Sequence, residues 1–172
     1  APQLVEAYRA ALPIRTVLIW ARRSEQSKAL AASLEAVAVD DLDAALARAD
    51  IVSSATLSRS PLIHGASLRA GMHIDLVGAF SPKMREVDAA AVARSTVFVD
   101  TLGGAKAEAG DLIQAIAEDQ FSWGMIAADL AALVTGAHPG RANPEEITLF
   151  KSVGAAIEDL AIARLVLKAA GS

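Results

Sequence analysis

IDLVGAFSPKMREVD, residues 74–88, predicts a buried strand that ends in a small Gly-Ala pair. The residue after that pair is Phe80, a large apolar side chain at the point where the chain should leave the core. A proline then follows, and Glu86 and Asp88 are acids of the kind that begin helices. The stretch therefore predicts a strand, a turn with an exposed phenylalanine, and a helix.

The same alternation of short apolar runs and helical segments continues along the chain. Strands are predicted at residues 16–21, 36–39, 50–56, 72–79, 96–100 and 147–152. Helices are predicted at residues 2–12, 24–34, 41–49, 88–94, 122–135 and 154–170, with glycine turns over residues 101–112. Strands that alternate with helices form parallel sheets. The pattern predicts an α/β fold with a Rossmann-like, doubly wound, mostly parallel sheet.

Composition excludes several classes of function. The chain has 172 residues, enough for one domain, and 53% of them are hydrophobic. Its formal net charge is −4 with scattered basic residues, so no nucleic-acid-binding surface is predicted. It has no cysteine, and its three histidines lack metal-ligand spacing, so no metal site is predicted. No membrane span or signal peptide is recognisable, which favours a cytoplasmic protein.

The ends of the predicted strands carry the functional expectation. In open α/β sheets, ligands bind outside the carboxyl ends of the strands. Those ends read WARRS, SSATLS, LVGAFSP, VDTLGG and FKSVG, and most are small, hydroxylated or glycine-bearing. Small residues let a flat ligand lie against the backbone, but they also occur wherever the chain turns a tight corner. Their recurrence along one edge favours a ligand site.

WARRS indicates which ligand this edge binds. An acid at the end of the second strand holds the ribose of NAD, whereas a basic residue accommodates the 2′-phosphate of NADP. Here the positions are Arg22, Arg23 and Ser24, and Ser24 also stands as a possible cap at a helix N-terminus. A guanidinium matches the geometry of phosphate. A solvated pair of surface arginines remains the alternative.

Several motifs together resemble a known family. They are ADIVSSAT, SPLIHG, GMHIDLVGAFSPKMREVD, FVDT, AEAGDL and ITLFKSVGAAIEDLA. Over nearly the whole of residues 1–172 the chain resembles the C-terminal dinucleotide-binding domain of the ornithine cyclodeaminase/mu-crystallin family. The resemblance implies that a Gly-x-Gly-x-x-Ala turn stands just before this sequence, with Ala1 as its last residue. It also implies a fragment without the first strand and without the N-terminal domain that builds the family's homodimer.

A sheet without its first strand would have an unusual consequence. The first strand of a doubly wound sheet lies between the second and the fourth. Its absence would leave two strands with unpaired backbone groups. We therefore do not expect these residues to form a plain Rossmann domain on their own.

Phe80 bears on the reaction that the resemblance implies. In the cyclodeaminases the corresponding turn ends in a catalytic aspartate, and a phenylalanine can neither give nor take a proton. The chain is most similar to bacterial members that reduce Δ1-pyrroline-2-carboxylate or Δ1-piperideine-2-carboxylate to proline or pipecolate. The resemblance thus implies reduction of a cyclic imine with NADPH, or with NADH as the alternative cofactor. An ornithine cyclodeaminase and a mu-crystallin-like binding protein for NADPH and a small ligand remain alternatives.

The resemblance also assigns site residues, though no catalytic one. The implied cofactor-binding positions are Ala1, Ala21, Arg22, Arg23, Ser24, Thr56, Val77, Gly78, Ala79 and Ser152. The implied substrate-binding positions are Phe80, as an apolar wall, and Val153. Met84 stands where cyclodeaminases carry a lysine that contacts the cofactor. Glu108 and Asp111 are expected to be structural.

Overall fold

Short apolar runs form parallel strands, and helices follow most of them. The computed structural model describes residues 2–171. Its strands are β1 (Leu18–Ile19), β2 (Val37–Ala38), β3 (Ile51–Ser54), β4 (His73–Leu76), β5 (Thr96–Val99), β6 (Ile126–Asp129) and β7 (Thr148–Lys151). Its helices are α1 (Pro2–Ala11), α2 (Ser24–Ser33), α3 (Leu42–Leu46), α4 (Ala89–Ala93), α5 (Leu102–Glu108), α6 (Gly110–Ala117), α7 (Leu130–Val134) and α8 (Ala156–Ala170).

Five of the strands form one parallel sheet in the order β3-β4-β7-β5-β6. Although β7 is the last strand in the sequence, it lies between β4 and β5, and Phe150 pairs with both Asp75 and Phe98. Parallel strands require crossover connections, and the helices supply them. The predicted Rossmann-like α/β fold is confirmed. The carboxyl ends of β3, β4, β7 and β5 therefore lie along one edge, called the carboxyl edge below.

Apolar side chains of the central strands form the core beneath that edge. Ile74, Leu76, Val97, Val99 and Leu149 are each at most 1% exposed. Apolar residues of α4 and α6 pack in the same cluster. Full burial of one such side chain stabilises the fold by roughly 1.5–3 kcal/mol. The core thus gives the loops of the carboxyl edge a rigid support.

The first two strands form a separate parallel sheet. Within residues 2–171, β1 pairs only with β2, and β3 pairs only with β4. The two unpaired edges belong to the strands between which the first strand of a doubly wound sheet would lie. The sheet is therefore interrupted where that first strand would lie.

Helix α1 connects the two sheets. Arg9 donates from Nη1 to the carbonyl oxygen of Leu34, at the end of α2, at 2.8 Å. Tyr8, on the same helix, lies near Asp75 of β4. Burial raises the pKa of the Tyr8 phenol, and the neighbouring carboxylate of Asp75 raises it further.

Two expectations about the second half of the chain were wrong. The helix predicted at residues 122–135 is instead a 3-10 turn, strand β6 and the short helix α7. Asp129 separates strand from helix, because its side chain accepts a hydrogen bond from the Ala132 amide at 2.9 Å and caps α7. The glycine turns predicted at residues 101–112 are largely helical. Thr101 caps α5 by accepting from Gly104, and α6 follows after one residue.

The C-terminal helix α8 has an unusual surface. None of its residues is buried. Its exposed large apolar side chains are Ile157, Leu160, Ile162, Leu165, Val166 and Leu167. Neither α8 nor any other helix of the described chain is long and apolar enough to cross a membrane.

Candidate functional site at the carboxyl edge

The turn at residues 77–80 occupies the centre of the carboxyl edge. The Val77 amide donates to the Ser54 carbonyl at 2.8 Å, and the Ala79 amide donates to the Thr56 carbonyl at 3.4 Å. These bonds hold the turn against the end of β3. Ala79 adopts a positive φ of 51°, which is sterically costly for a residue with a Cβ atom. Its carbonyl accepts from the Gly110 amide at 3.2 Å, so the strained conformation is held from both sides.

Only a glycine fits at position 78, because neighbouring residues leave no room for a Cβ atom. A Cβ atom at this position would overlap the Thr56 carbonyl oxygen and would lie 2.5 Å from Oε1 of Glu86. Gly78 and Ala79 are both buried. Close packing inside the protein alone accounts for this glycine, and its predicted role in binding a ligand stays a prediction.

Phe80 points outward, as predicted from the sequence. Its exposed fraction is 46%, and Leu57 after β3 and Leu102 after β5 are also exposed. The three apolar side chains follow strands of one parallel sheet. The exposed part of the 77–80 turn therefore ends in an apolar residue and not in a carboxylate.

Glu86 does not begin a helix, contrary to the expectation. It is fully buried, and its Oε1 accepts hydrogen bonds from Ser54 Oγ at 2.6 Å, the Thr56 amide at 2.6 Å and Thr56 Oγ1 at 2.8 Å. The hydroxyl of Thr56, a predicted cofactor-binding residue, is thus bonded to Glu86. Asp88 is the actual N-cap of α4, since it accepts from the Ala91 amide at 2.8 Å.

A buried ion pair lies beneath the same turn. Nζ of Lys151 is 3.4 Å from Oδ2 of Asp111, and both side chains are fully buried. Lys151 also donates to the carbonyls of Gly78 and Leu76. Burial raises the pKa of Asp111, although Lys151 and two backbone amides act in the opposite direction. The expectation that Asp111 is structural holds for its contacts, but Lys151 was missed because sequence patterns place lysines at the surface.

Asp100 organises the loop that follows β7. Its Oδ2 accepts from the Val153 amide at 2.7 Å, the Gly154 amide at 2.8 Å and Ser152 Oγ at 3.2 Å. The Ser152 amide in turn donates to the Leu76 carbonyl at 3.0 Å, which places the loop beside the end of β4. Ser152 and Val153, both predicted site residues, are therefore brought next to the 77–80 turn. The acid at the end of β5 was visible in the sequence, but its role there was not assigned.

The model of the ornithine cyclodeaminase/mu-crystallin family matches residues 1–172. The chain belongs to the ornithine cyclodeaminase/mu-crystallin family. The Δ1-pyrroline-2-carboxylate reductase of Paracoccus denitrificans is 42% identical over 174 residues, which cover 98% of this chain and 55% of that protein. The chain therefore spans about half the length of this relative.

Solved structures show the same fold. The Δ1-pyrroline-2-carboxylate reductase of Thermococcus litoralis, in complex with NADH and L-proline, has a TM-score of 0.90 and 34% identity over 95% of this chain and 53% of that one. An archaeal alanine dehydrogenase dimer with bound NAD has a TM-score of 0.89 and 28% identity over 96% of this chain and 52% of that one.

In this member of the family, the loop after β1 is the second part of the candidate site. Arg22 and Arg23 are exposed, and neither guanidinium forms an ion pair with any residue that the structure describes. Arg23 is the N-cap position of α2, so the predicted cap Ser24 is instead the first residue of the helix. The Ser24 hydroxyl donates to Oδ1 of Asp40 at 2.5 Å. Ala21 lies half-buried just before the arginines, and Ala1 lies outside the described residues.

Proposed function

We propose that this chain is the dinucleotide-binding domain of an NADPH-preferring imine reductase. The substrate class is a cyclic 2-imino acid, Δ1-pyrroline-2-carboxylate or Δ1-piperideine-2-carboxylate, and the product is proline or pipecolate. The observation that carries the proposal is Phe80, exposed at the end of the 77–80 turn on the carboxyl edge. The resemblance to a reductase in complex with NADH and L-proline supports it.

The residues of the carboxyl edge fit a dinucleotide. Arg22 and Arg23, which form no ion pair within residues 2–171, lie at the N-terminus of α2, where anions are favoured. They would hold the adenosine 2′-phosphate, with Ala21 and Ser24 beside the ribose. The nicotinamide half of the cofactor would lie over Thr56, residues 77–79 and Ser152. The carboxylate of Asp40 near Ser24 favours NADH instead, and NADH is therefore the alternative cofactor.

The proposed reaction needs no acid at residue 80. When bound, the reduced cofactor supplies a hydride to the imine carbon. A cyclic imine protonated at nitrogen is already electrophilic, and it becomes a neutral amine when the hydride arrives. Phe80 and Val153 would form the apolar wall against the ring. Phe80 would also exclude water, but it cannot remove or deliver the protons that ammonia loss from ornithine requires.

The proposal extends to the rest of the protein. Residues 1–172 would form the dinucleotide-binding domain of a longer chain, because they span only about half the length of the reductases that they resemble. A further domain would complete the substrate site and build a homodimer. A cytoplasmic location remains part of the same proposal.

An activity assay on the full-length protein tests the proposal. We expect NADPH oxidation that depends on a five- or six-membered cyclic 2-imino acid, with no ammonia released from ornithine. Ammonia and proline formed from ornithine would assign the lyase instead. Binding of NADPH without turnover would assign a binding protein.

Substitution of Phe80 tests the residue that carries the proposal. Phe80→Asp places a poorly solvated charge against the ring and should lower kcat/KM at least tenfold, which is about 1.4 kcal/mol of transition-state stabilisation. Phe80→Leu keeps the apolar wall and is the matched control. Equal activity of the two variants would contradict the role of Phe80.

A further inference from the structure

Three fully buried charged side chains lie beneath the 77–80 turn. They are Lys151, Asp111 and Glu86, and together they are called the buried ion cluster here. They belong to different parts of the fold, because Lys151 ends β7, Asp111 lies in α6 and Glu86 lies between β4 and α4. No sequence pattern predicted that these charges meet in the core.

Lys151 connects the end of β7 to the last residue of β4 and to the turn that follows it. Its ammonium donates to the Gly78 carbonyl, and to the Leu76 carbonyl at 3.4 Å. The carbonyls of Leu76 and Gly78, which are two residues apart, therefore both point toward the Lys151 ammonium. This contact fixes the backbone on both sides of Val77, immediately before the positive-φ residue Ala79 and the exposed Phe80.

The two carboxylates hold the cation and the neighbouring strand in place. Asp111 pairs with Lys151 through Oδ2, and its Oδ1 accepts from the amides of Glu86 and Val87 at 2.6 Å and 3.0 Å. Glu86 then accepts from Ser54 and Thr56 at the end of β3. Contacts of the cluster thus reach the ends of β3, β4 and β7.

Two carboxylate oxygens of the buried ion cluster lack a hydrogen-bond donor in the described part of the chain. Within residues 2–171, Oε2 of Glu86 and Oδ2 of Asp111 are buried and accept no hydrogen bond. A buried ion pair is weak evidence for stability, because well-packed apolar residues of similar volume often stabilise a fold as well or better. Stability alone therefore does not explain the buried ion cluster. The contacts of Lys151 with the Leu76 and Gly78 carbonyls indicate another role.

We infer that Lys151 is a positioning residue for the nicotinamide half of the cofactor. It holds the carbonyls of Leu76 and Gly78 and thereby fixes the shape of the 77–80 turn against which the nicotinamide lies. The inference rests on the proposed function and deepens it. Lys151 is fully buried beneath the turn, so its effect on the cofactor would pass through the turn.

The inference is tested by comparing the binding of NADPH with that of a cofactor fragment that lacks nicotinamide. In the full-length protein, Lys151→Met should weaken NADPH binding at least tenfold and lower kcat. It should leave the affinity for 2′-phospho-ADP-ribose, which lacks nicotinamide, unchanged within twofold. A general structural defect would weaken both ligands equally, and that result would overturn the inference. Lys106→Met, an exposed position on α5, is the control and should change neither affinity.

A second variant separates positioning from folding. Lys151→Met alone leaves two buried carboxylates without their cation, whereas Lys151→Met/Asp111→Asn removes one charge of each sign. We expect the double variant to melt close to the unmodified protein and to keep the selective loss of NADPH affinity. Restored NADPH affinity, or failure of the double variant to fold, would make Lys151 a stability element and overturn the inference. An unmodified protein that binds neither NADPH nor NADH would overturn the proposed function and this inference with it.

Discussion

At the residue scale, Gly78 and Phe80 show the two sides of the same turn. Gly78 is fixed by Thr56 and Glu86 on the inside, and Phe80 is exposed on the outside. The sequence predicted the exposed phenylalanine, because a large apolar residue followed a strand and two small residues. It could not predict what lies behind the glycine, since Thr56 and Glu86 are 22 and 8 positions away in sequence and only the tertiary fold brings them there.

Gly78→Ala should destabilise the protein by about 1–3 kcal/mol, because the new Cβ atom overlaps the Thr56 carbonyl and forces the backbone to shift. Urea unfolding of the full-length protein measures this change. Gly103→Ala, in α5, is the matched control because a Cβ atom there meets nothing within 4 Å. It should be neutral or stabilise the protein by roughly 0.5–1 kcal/mol. Similar effects of both substitutions would contradict the packing argument.

At the element scale, the strands were predictable where they are apolar and bounded by turn residues. β4 and β7 were found because their apolar residues are followed by glycine or serine. β6 was missed because its small residues IAAD run without a break into helix-forming LAALV, and periodicity does not distinguish a short strand from a helix there. The position of β7 between β4 and β5 was likewise invisible, since it depends on pairing between distant segments.

The loop between β1 and α2 sets the predicted cofactor preference. In the full-length protein, Arg22→Ala/Arg23→Ala should weaken NADPH much more than NADH. Each lost charge-assisted contact should cost roughly 1.5–3 kcal/mol. Dissociation constants for both cofactors measure the difference, and Arg48→Ala, an exposed arginine before β3, is the control. Equal losses of affinity for NADPH and NADH would show that this loop does not bind the 2′-phosphate.

The cap of α4 gives a pH-dependent prediction. Burial acts to raise the pKa of Asp88, but hydrogen bonds from the Gly65 and Ala91 amides and from His64 outweigh it and lower the pKa below its ordinary value of 3.8. A lowered pKa in the folded state means that the ionised carboxylate stabilises the fold above about pH 3.8. This contribution is lost as the pH falls through the folded-state value.

Asp88→Asn should therefore lower the free energy of unfolding near neutral pH, and the difference from the unmodified protein should shrink as the pH falls below 3.8. Chemical denaturation at a series of pH values measures it. Asp119→Asn, at an exposed position after α6, is the control. A difference that stays constant down to the most acidic pH would show that the charge of Asp88 does not contribute.

At the scale of the whole molecule, two parallel sheets carry the two candidate binding loops. The arginines follow β1 of the two-stranded sheet, whereas the 77–80 turn and the Ser152 loop follow strands of the five-stranded sheet. Helix α1 contacts elements of both parts through Tyr8 and Arg9. The sequence predicted the α/β fold and the absence of its first strand, whereas the assigned site residues stay predictions. It missed Lys151 and Asp100, because their importance depends on where they are buried.

The central claim is that the carboxyl edge supports hydride transfer to the carbon of a cyclic imine. Incubation of the full-length protein with NADPH that carries deuterium at both C4 positions, and with Δ1-pyrroline-2-carboxylate, tests it directly by mass spectrometry of the proline formed. We expect one deuterium at C2 of proline for each NADPH oxidised, because the hydride moves from cofactor to substrate without exchange with water. Proline without deuterium, or no proline despite NADPH binding, would contradict the account.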